Sequence, residues 1–258
     1  MATFNAGGLT LAYDDIPPAA PGAGTVLLVH GFATSRGENW RRLGWLTAFE
    51  RRGYRVVALD LRGHGESDKP HDPAAYGRGR MIADILALMD HLALGPVILM
   101  GYSMGAHLSL GLALAAPERV DRLILGGVGA RLLTGSPLST GPMTMAEALL
   151  AEDRQVIRDP LLRGFRLFAD QQGEDRLALA ACSQAGGAAV DVDDLVRVRA
   201  RTLVVAGARD GLAGDPMVLA DAIPGARGVS LPACDHFSAI PHALFKAAVF
   251  DFLDGWEE

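Results

Sequence analysis

Three short stretches hold side chains whose types and order suit nucleophilic acyl transfer. The first is Gly101-Tyr102-Ser103-Met104-Gly105, which ends the apolar run from Val97 and precedes the apolar helical stretch Ala106–Ala115. Gly-x-Ser-x-Gly alone is not specific, but here a strand enters and a helix leaves. That combination forces a sharp turn that lifts the serine out of the sheet, and the flanking glycines relieve crowding around it. The helix start also turns unpaired N–H groups toward the site, where they hold negative charge. Ser103 is therefore the candidate nucleophile.

A serine hydroxyl needs a base to take its proton, and the base needs an acid to hold its ring. Seven histidines compete: His30, His64, His71, His91, His107, His236 and His242. His91 and His107 sit in helical stretches that suit packing or surface roles, and His71 adjoins an Asp-Pro turn. His236 follows the short apolar run Gly228–Leu231 and precedes a terminal helix, which puts it in a loop at the carboxyl edge of the sheet. His242 is the nearest rival, although Pro241 before it suggests a helix start. For the acid, Asp210 ends the strand Thr202–Ala206 and its Gly207-Ala-Arg turn. Asp215, beside Pro216, reads as a helix cap, and Asp235 would project away from the neighbouring imidazole. The loop after the preceding strand, Gly126-Gly-Val-Gly-Ala, offers no carboxylate.

Acyl transfer also needs donors for a developing oxyanion. Leu27-Leu-Val-His30-Gly31-Phe32 ends a strand in a tight turn, so the Phe32 N–H is expected to face the Met104 N–H across the site. Only backbone is required there, which leaves both side chains available to the pocket. The pocket walls are expected from Phe32, Tyr102, Met104 and Phe237, with Leu138, Met143, Met145, Leu149, Phe165 and Phe168 contributed by residues 131–198.

The elements that must position these groups form an alternating pattern. Continuous Val/Ile/Leu runs at Thr25–His30, Arg55–Asp60, Val97–Tyr102, Val120–Leu125 and Thr202–Ala206 read as strands covered on both faces. Between them, Trp40–Arg52 and Gly79–Leu94 carry apolar residues at helical spacing, with Gly53 and Gly95 as stops. Thr3–Asn5 and Leu9–Tyr13 look like an antiparallel edge hairpin turned at Gly7-Gly8. The predicted class is α/β, a mostly parallel central sheet with helices on both faces. The beat breaks over residues 131–198, where helical stretches (Met145–Leu150, Leu161–Ala169, Arg176–Cys182) occur without a buried strand. This segment is expected to be a helical insertion in a core made of residues 1–130 and 199–258.

Length and composition set the outer limits. A chain of 258 residues that is 50% hydrophobic suits one sizeable domain. A net charge of −6 argues against nucleic acid or anionic lipid as the partner. Cys182 and Cys234 lack framework or metal spacing and read as buried free thiols. With no signal-like stretch at the start and no apolar run of about 18 residues, the expectation is a soluble cytoplasmic protein acting on a small molecule. No metal or nucleotide cofactor is expected, and the oligomeric state is not legible.

The ordered set His30-Gly31-Phe32, Asp60-Leu-Arg62-Gly63-His64-Gly65-Glu-Ser67-Asp68, Gly101-Tyr-Ser103-Met-Gly105, Asp210 and His236 resembles the α/β-hydrolase superfamily over about residues 3 to 254. The resemblance implies Ser103 as nucleophile, His236 as base and then acid, Asp210 as orienting carboxylate and the insertion as a lid, with the loop around His64 structural. The superfamily hosts many reactions. Its epoxide hydrolases and haloalkane dehalogenases attack with aspartate where this chain has Ser103, and the former also use lid tyrosines. Tyr13, Tyr54, Tyr76 and Tyr102 all lie outside the insertion. Carbon–carbon bond hydrolases of ring-cleavage pathways keep the triad but commonly carry Asn where this chain has Tyr102. The leading reading is a carboxylesterase for small to medium apolar acyl groups. The alternatives are ring-cleavage C–C hydrolysis, cofactor-free perhydrolysis and, in a second class, a non-catalytic binding protein.

Overall fold

The computed structural model describes residues 2–18, 22–134, 141–185 and 190–255. In chain order the elements are β1 (Ala2–Ala6), β2 (Leu9–Ile16), β3 (Thr25–Val29), α1 (Trp45–Glu50), β4 (Arg55–Leu59), α2 (Arg78–His91), β5 (Val97–Tyr102), α3 (Met104–Ala115) and β6 (Val120–Gly126). There follow α4 (Ala130–Thr134), α5 (Met145–Leu150), α6 (Pro160–Gln172), α7 (Arg176–Gln184), α8 (Val192–Leu195), β7 (Arg201–Gly207), α9 (Pro216–Ala222), β8 (Arg227–Leu231) and α10 (Ala243–Asp254). The strands make one eight-stranded sheet in the order β1-β2-β4-β3-β5-β6-β7-β8. Only the β1/β2 hairpin and its junction with β4 are antiparallel; every other pairing is parallel.

Side-chain alternation explains why the strands read as continuous apolar runs. Leu27 and Val29 of β3 and Leu99 of β5 face α2, α3 and α9, whose Ile85, Leu88, Leu108, Leu112 and Leu219 complete one core layer. Val26, Leu28, Ile98 and Met100 face the opposite way, onto Trp45 and Phe49 of α1 and Phe245, Val249 and Phe250 of α10. With both faces buried, neither parity can be polar.

Helix boundaries show where local signals were outweighed. The expected Trp40–Arg52 helix is interrupted at Gly44, whose φ of 74° breaks a turn over Gly37–Arg41 from α1. Gly53, at φ 81°, follows α1 as a stop. Gly95 does not play that part for α2, which ends earlier with Ala93 in the left-handed region at φ 49°. Cys182 and Cys234 are both buried and free.

Helices α4 to α8 lie between β6 and β7 and bury small apolar clusters of their own. Ala146, Leu149, Phe165, Ala169 and Leu179 pack with Ala33, beside Phe32 and Leu212; Ala148, Ile157 and Leu162 form a second cluster. The far end of the segment merges with the main core through Ala181, Cys182, Leu195 and Val198. Among the described residues no helix is long and apolar enough to cross a membrane.

Candidate active site

The chain passes from β4 back across β3 to β5, so β3 and β5 are neighbours at the point where strand order reverses. In open parallel sheets the crevice beyond such carboxyl ends is where ligands bind. Ser103 stands there, between β5 and α3, with φ 53° and ψ −117°, a region that non-glycine residues rarely occupy. Its N–H donates to the Gly126 carbonyl at 2.8 Å, and its own carbonyl accepts from Ala106 N–H at 2.9 Å. A Cβ on Gly101 would run into the Gly105 carbonyl, and one on Gly105 into the Val29 and His30 carbonyls. Both glycines are thus required by the same sharp turn.

Ser103 Oγ lies 2.9 Å from His236 Nε2, and His236 Nδ1 lies 2.8 Å from Asp210 Oδ2. His236 and Asp210 are 7% and 4% exposed, so water competes weakly for these bonds. The second carboxylate oxygen, Asp210 Oδ1, accepts from Leu212 N–H at 3.0 Å and Ala213 N–H at 2.9 Å. Because Asp210 can only accept when ionised, the imidazole proton sits on Nδ1, and the Nε2 lone pair is turned toward the serine.

The rival residues lie elsewhere. His242 accepts from Leu244 N–H at the start of α10, and Asp215 caps α9 by accepting from Met217 N–H. Asp235 turns into its own loop, accepting from Phe237 and Ser238 N–H. His91 stacks on Phe4, and His71 pairs with Asp175. Burial lowers the pKa of His107 to about 4 and that of His64 to about 3.

The strand-end turn after β3 is held at both polar groups of Gly31. Asn39 Oδ1 accepts its N–H at 3.2 Å, and His30 Nδ1 donates to its carbonyl at 2.7 Å. His30 Nε2 accepts from Leu61 N–H at 3.0 Å, and burial lowers its pKa to about 4, which keeps the ring neutral in that tautomer. A Cβ on Gly31 would lie 3.4 Å from Ser103 Cβ, so this turn packs directly on the one that carries Ser103. Phe32 follows Gly31 in this turn, and the N–H of Met104, as the first residue of α3, has no intrahelical partner. The parts played by Asn39 and His30 were not anticipated: the Asn39–Gly31 bond joins a loop to a helical turn with no short motif to announce it.

The expected pocket residues divide. Phe32, Phe165, Phe168 and Phe237 form a run of rings, with centroids 5.9 Å apart for Phe32–Phe165 and Phe165–Phe237 and 5.7 Å for Phe168–Phe237. Phe237 also meets the His236 ring edge-on at 5.7 Å. Tyr102 instead points into the core: it is 4% exposed, and its hydroxyl donates to the His236 carbonyl. Burial raises its pKa well above 10, so it stays a donor. Met143 packs against the cluster of Ala148, Ile157 and Leu162 between helices, and Leu149 is fully buried in the neighbouring cluster. Met104 is half-buried against the α2/α3 core layer, and Met145 packs on both small clusters. Leu138 lies outside the described residues.

A hollow of about 420 Å³, lined by Asp14, Ser35, Arg36, Arg41, Asp60 and Glu66, includes none of the Ser103, His236 and Asp210 side chains. Its walls are ion-paired with one another, Arg36 reaching Asp60 and Asp14. Among the described residues no group of three or more His, Cys, Asp or Glu side chains is placed to hold a metal ion.

Residues 24–183 match the family model described as the alpha/beta hydrolase fold. The chain belongs to this family. A 2-hydroxymuconate semialdehyde hydrolase from Pseudomonas putida is 30% identical over 248 residues, covering 88% of this chain and 86% of that one. A putative 2-succinyl-6-hydroxy-2,4-cyclohexadiene-1-carboxylate synthase from Bacillus subtilis is 35% identical over 128 residues, but the match spans 48% of this chain and only 44% of that protein. Among solved structures, a hydrolase from Pseudomonas aeruginosa superimposes with a TM-score of 0.78 at 28% identity, covering 98% of this chain and 97% of its own.

Proposed function

We propose that the protein is a serine hydrolase, a carboxylesterase acting on small to medium apolar acyl groups. The observation that carries the reading is the unbroken chain from Ser103 Oγ through the His236 ring to Asp210, placed on a strained turn at a helix start. Ser103 Oγ attacks the ester carbonyl while His236 Nε2 takes its proton; Asp210 stabilises the imidazolium that results. The negative charge on the tetrahedral oxygen is met by the Phe32 and Met104 N–H groups. His236 then protonates the leaving alcohol, and water, activated by the same ring, releases the acid. Residues 131–198 act as a cap over a core made of residues 1–130 and 199–258, and Phe165 and Phe168 of α6 lower an apolar wall onto Phe237.

A second reading, hydrolysis of a carbon–carbon bond in a ring-cleavage product, is favoured by the similarity to the semialdehyde hydrolase. Such an acid substrate calls for an inward cation. Arg166, the buried arginine of α6, already donates to the Ala148 and Ala151 carbonyls and to Asp170, which speaks for the ester.

Two measurements test these readings. Ser103→Ala should abolish labelling by a fluorophosphonate probe in a folded protein; labelling that persists elsewhere overturns the mechanism. A nitrophenyl ester series should peak at short to medium acyl chains with negligible cleavage of a vinylogous 1,5-diketone acid. Diketone cleavage faster than every ester would select the second reading, and no turnover of either class would point to a binding protein.

A further inference from the structure

The residue that precedes the nucleophile reaches across to the base. Tyr102 is the last residue of β5, and its side chain leaves the sheet on the α10 side, where its ring lies 6.2 Å from Phe245 and 5.4 Å from the His236 imidazole. The phenol oxygen donates to the main-chain carbonyl of His236. Room for this arrangement comes from the end of β6. A Cβ on Gly127 would stand 2.8 Å from Tyr102 Cζ and 3.2 Å from His236 Cε1, and one on Gly126 would stand 2.8 Å from Tyr102 Cδ2.

The two bonds made by the His236 ring orient the imidazole but leave the position of its backbone to the loop after β8. That loop is fastened to the acid's side of the site where Arg209 N–H donates to the Cys234 carbonyl at 2.8 Å, and its tip is closed by Asp235 accepting from Ser238. The Tyr102 hydroxyl is the corresponding fastening on the nucleophile's side.

We propose that Tyr102 is a positioning residue: its hydroxyl holds the carbonyl of His236 and thereby fixes the base at bonding distance from Ser103, the next residue of the chain. The inference rests on the reading of Ser103 and His236 as nucleophile and base. It makes the position before the serine part of the triad's support and not a wall of the substrate pocket. A displacement of about 1 Å between reacting groups can cost on the order of 100-fold in rate, so loss of one fastening is expected to register in turnover.

The test is Tyr102→Phe, which removes one oxygen and keeps the ring, alongside Phe245→Leu, which loosens the packing around the ring and leaves the hydroxyl in place. Steady-state kinetics on a short-chain nitrophenyl ester and thermal unfolding are measured for both. Tyr102→Phe should lower kcat by about tenfold or more with KM within about twofold, and Phe245→Leu should lower the melting temperature with kcat close to wild type. A wild-type kcat in Tyr102→Phe overturns the proposal. So does a raised KM with altered acyl-chain preference, which would make Tyr102 a pocket wall, or an equal loss of kcat in Phe245→Leu, which would make the effect general packing. A Tyr102→Phe chain that does not fold also counts against it, since the hydroxyl would then be a determinant of the fold. Full activity in Ser103→Ala would instead remove the reading on which the proposal stands.

Discussion

Replacing Asp210 with asparagine exchanges one oxygen for an NH2 group at a site where every contact is an incoming donor. Three protein N–H groups point at this carboxylate: His236 Nδ1 at one oxygen, Leu212 N and Ala213 N at the other. An amide has one accepting end, so one side must change. If the amide oxygen turned toward His236, its NH2 would face two backbone donors, and two bonds to a charged group worth roughly 1.5–3 kcal/mol each would be lost. If the oxygen stays with Leu212 and Ala213, the NH2 donates to Nδ1, and the imidazole needs only to move its proton to Nε2, a small cost between neutral tautomers. The second arrangement wins, and it leaves His236 with N–H toward Ser103, unable to accept the serine proton. In triads of this geometry the wrong tautomer costs on the order of 10⁴ in kcat, or about 5.4 kcal/mol of transition-state stabilisation. Asp210→Asn should therefore unfold near the wild-type temperature while nitrophenyl ester turnover falls by about four decades. Asp215→Asn should be nearly normal in both, because Asn caps a helix as well as Asp does. If Asp210→Asn retains more than about a tenth of wild-type turnover, or if the two variants exchange behaviour, the assignment of the acid is refuted.

Three other expectations concern stability and substrate binding. Burial raises the Glu174 carboxyl to about pKa 7 where it accepts from Gly65 N–H, with Asp60 and Asp175 adding to the rise and Lys69 opposing it. The folded state then binds more protons than the unfolded chain between about pH 4.5 and 7, so stability from this group falls as pH rises through that window, at most by roughly 1.4 kcal/mol per pH unit; denaturant unfolding of Glu174→Gln should show a flatter profile than wild type there, and an identical profile would remove Glu174 from the account. Gly105→Ala should fail to fold or lose several kcal/mol, because the added Cβ meets the backbone carbonyls of Val29 and His30, which cannot swing aside; near-normal stability by urea titration would contradict the turn geometry. Phe237→Ala should raise KM for apolar esters more than it lowers kcat, since the ring is 44% exposed and faces Phe165 and Phe168 across the site; an unchanged KM across the acyl series would take Phe237 off the pocket wall.

The turn at Ser103 was legible because its requirements are local. A strand meeting a helix within two residues leaves no space for a Cβ at Gly101 or Gly105, so the constraint is written in adjacent letters. The same holds for Asp210 just past β7 and for Asp215 and His242 at helix starts, where each side chain serves backbone groups two or three residues away. Buried strands announced themselves through apolar runs, since a strand covered on both faces has no polar parity to show. Tertiary packing settled what joins distant parts of the chain. Tyr102 fits a pocket wall or a core position equally well as a residue type, and its direction followed from the strand's pleat and from the space at Gly126 and Gly127, which only the β5/β6 register supplies. Met143 and Leu149 carry the apolar character of pocket residues, yet the small clusters among α5, α6 and α7 took them. Asn39 against Gly31 and Glu174 against Gly65 are isolated contacts between elements that meet only after the sheet has assembled, and a pairing of that kind leaves no periodicity or spacing in the chain to be read.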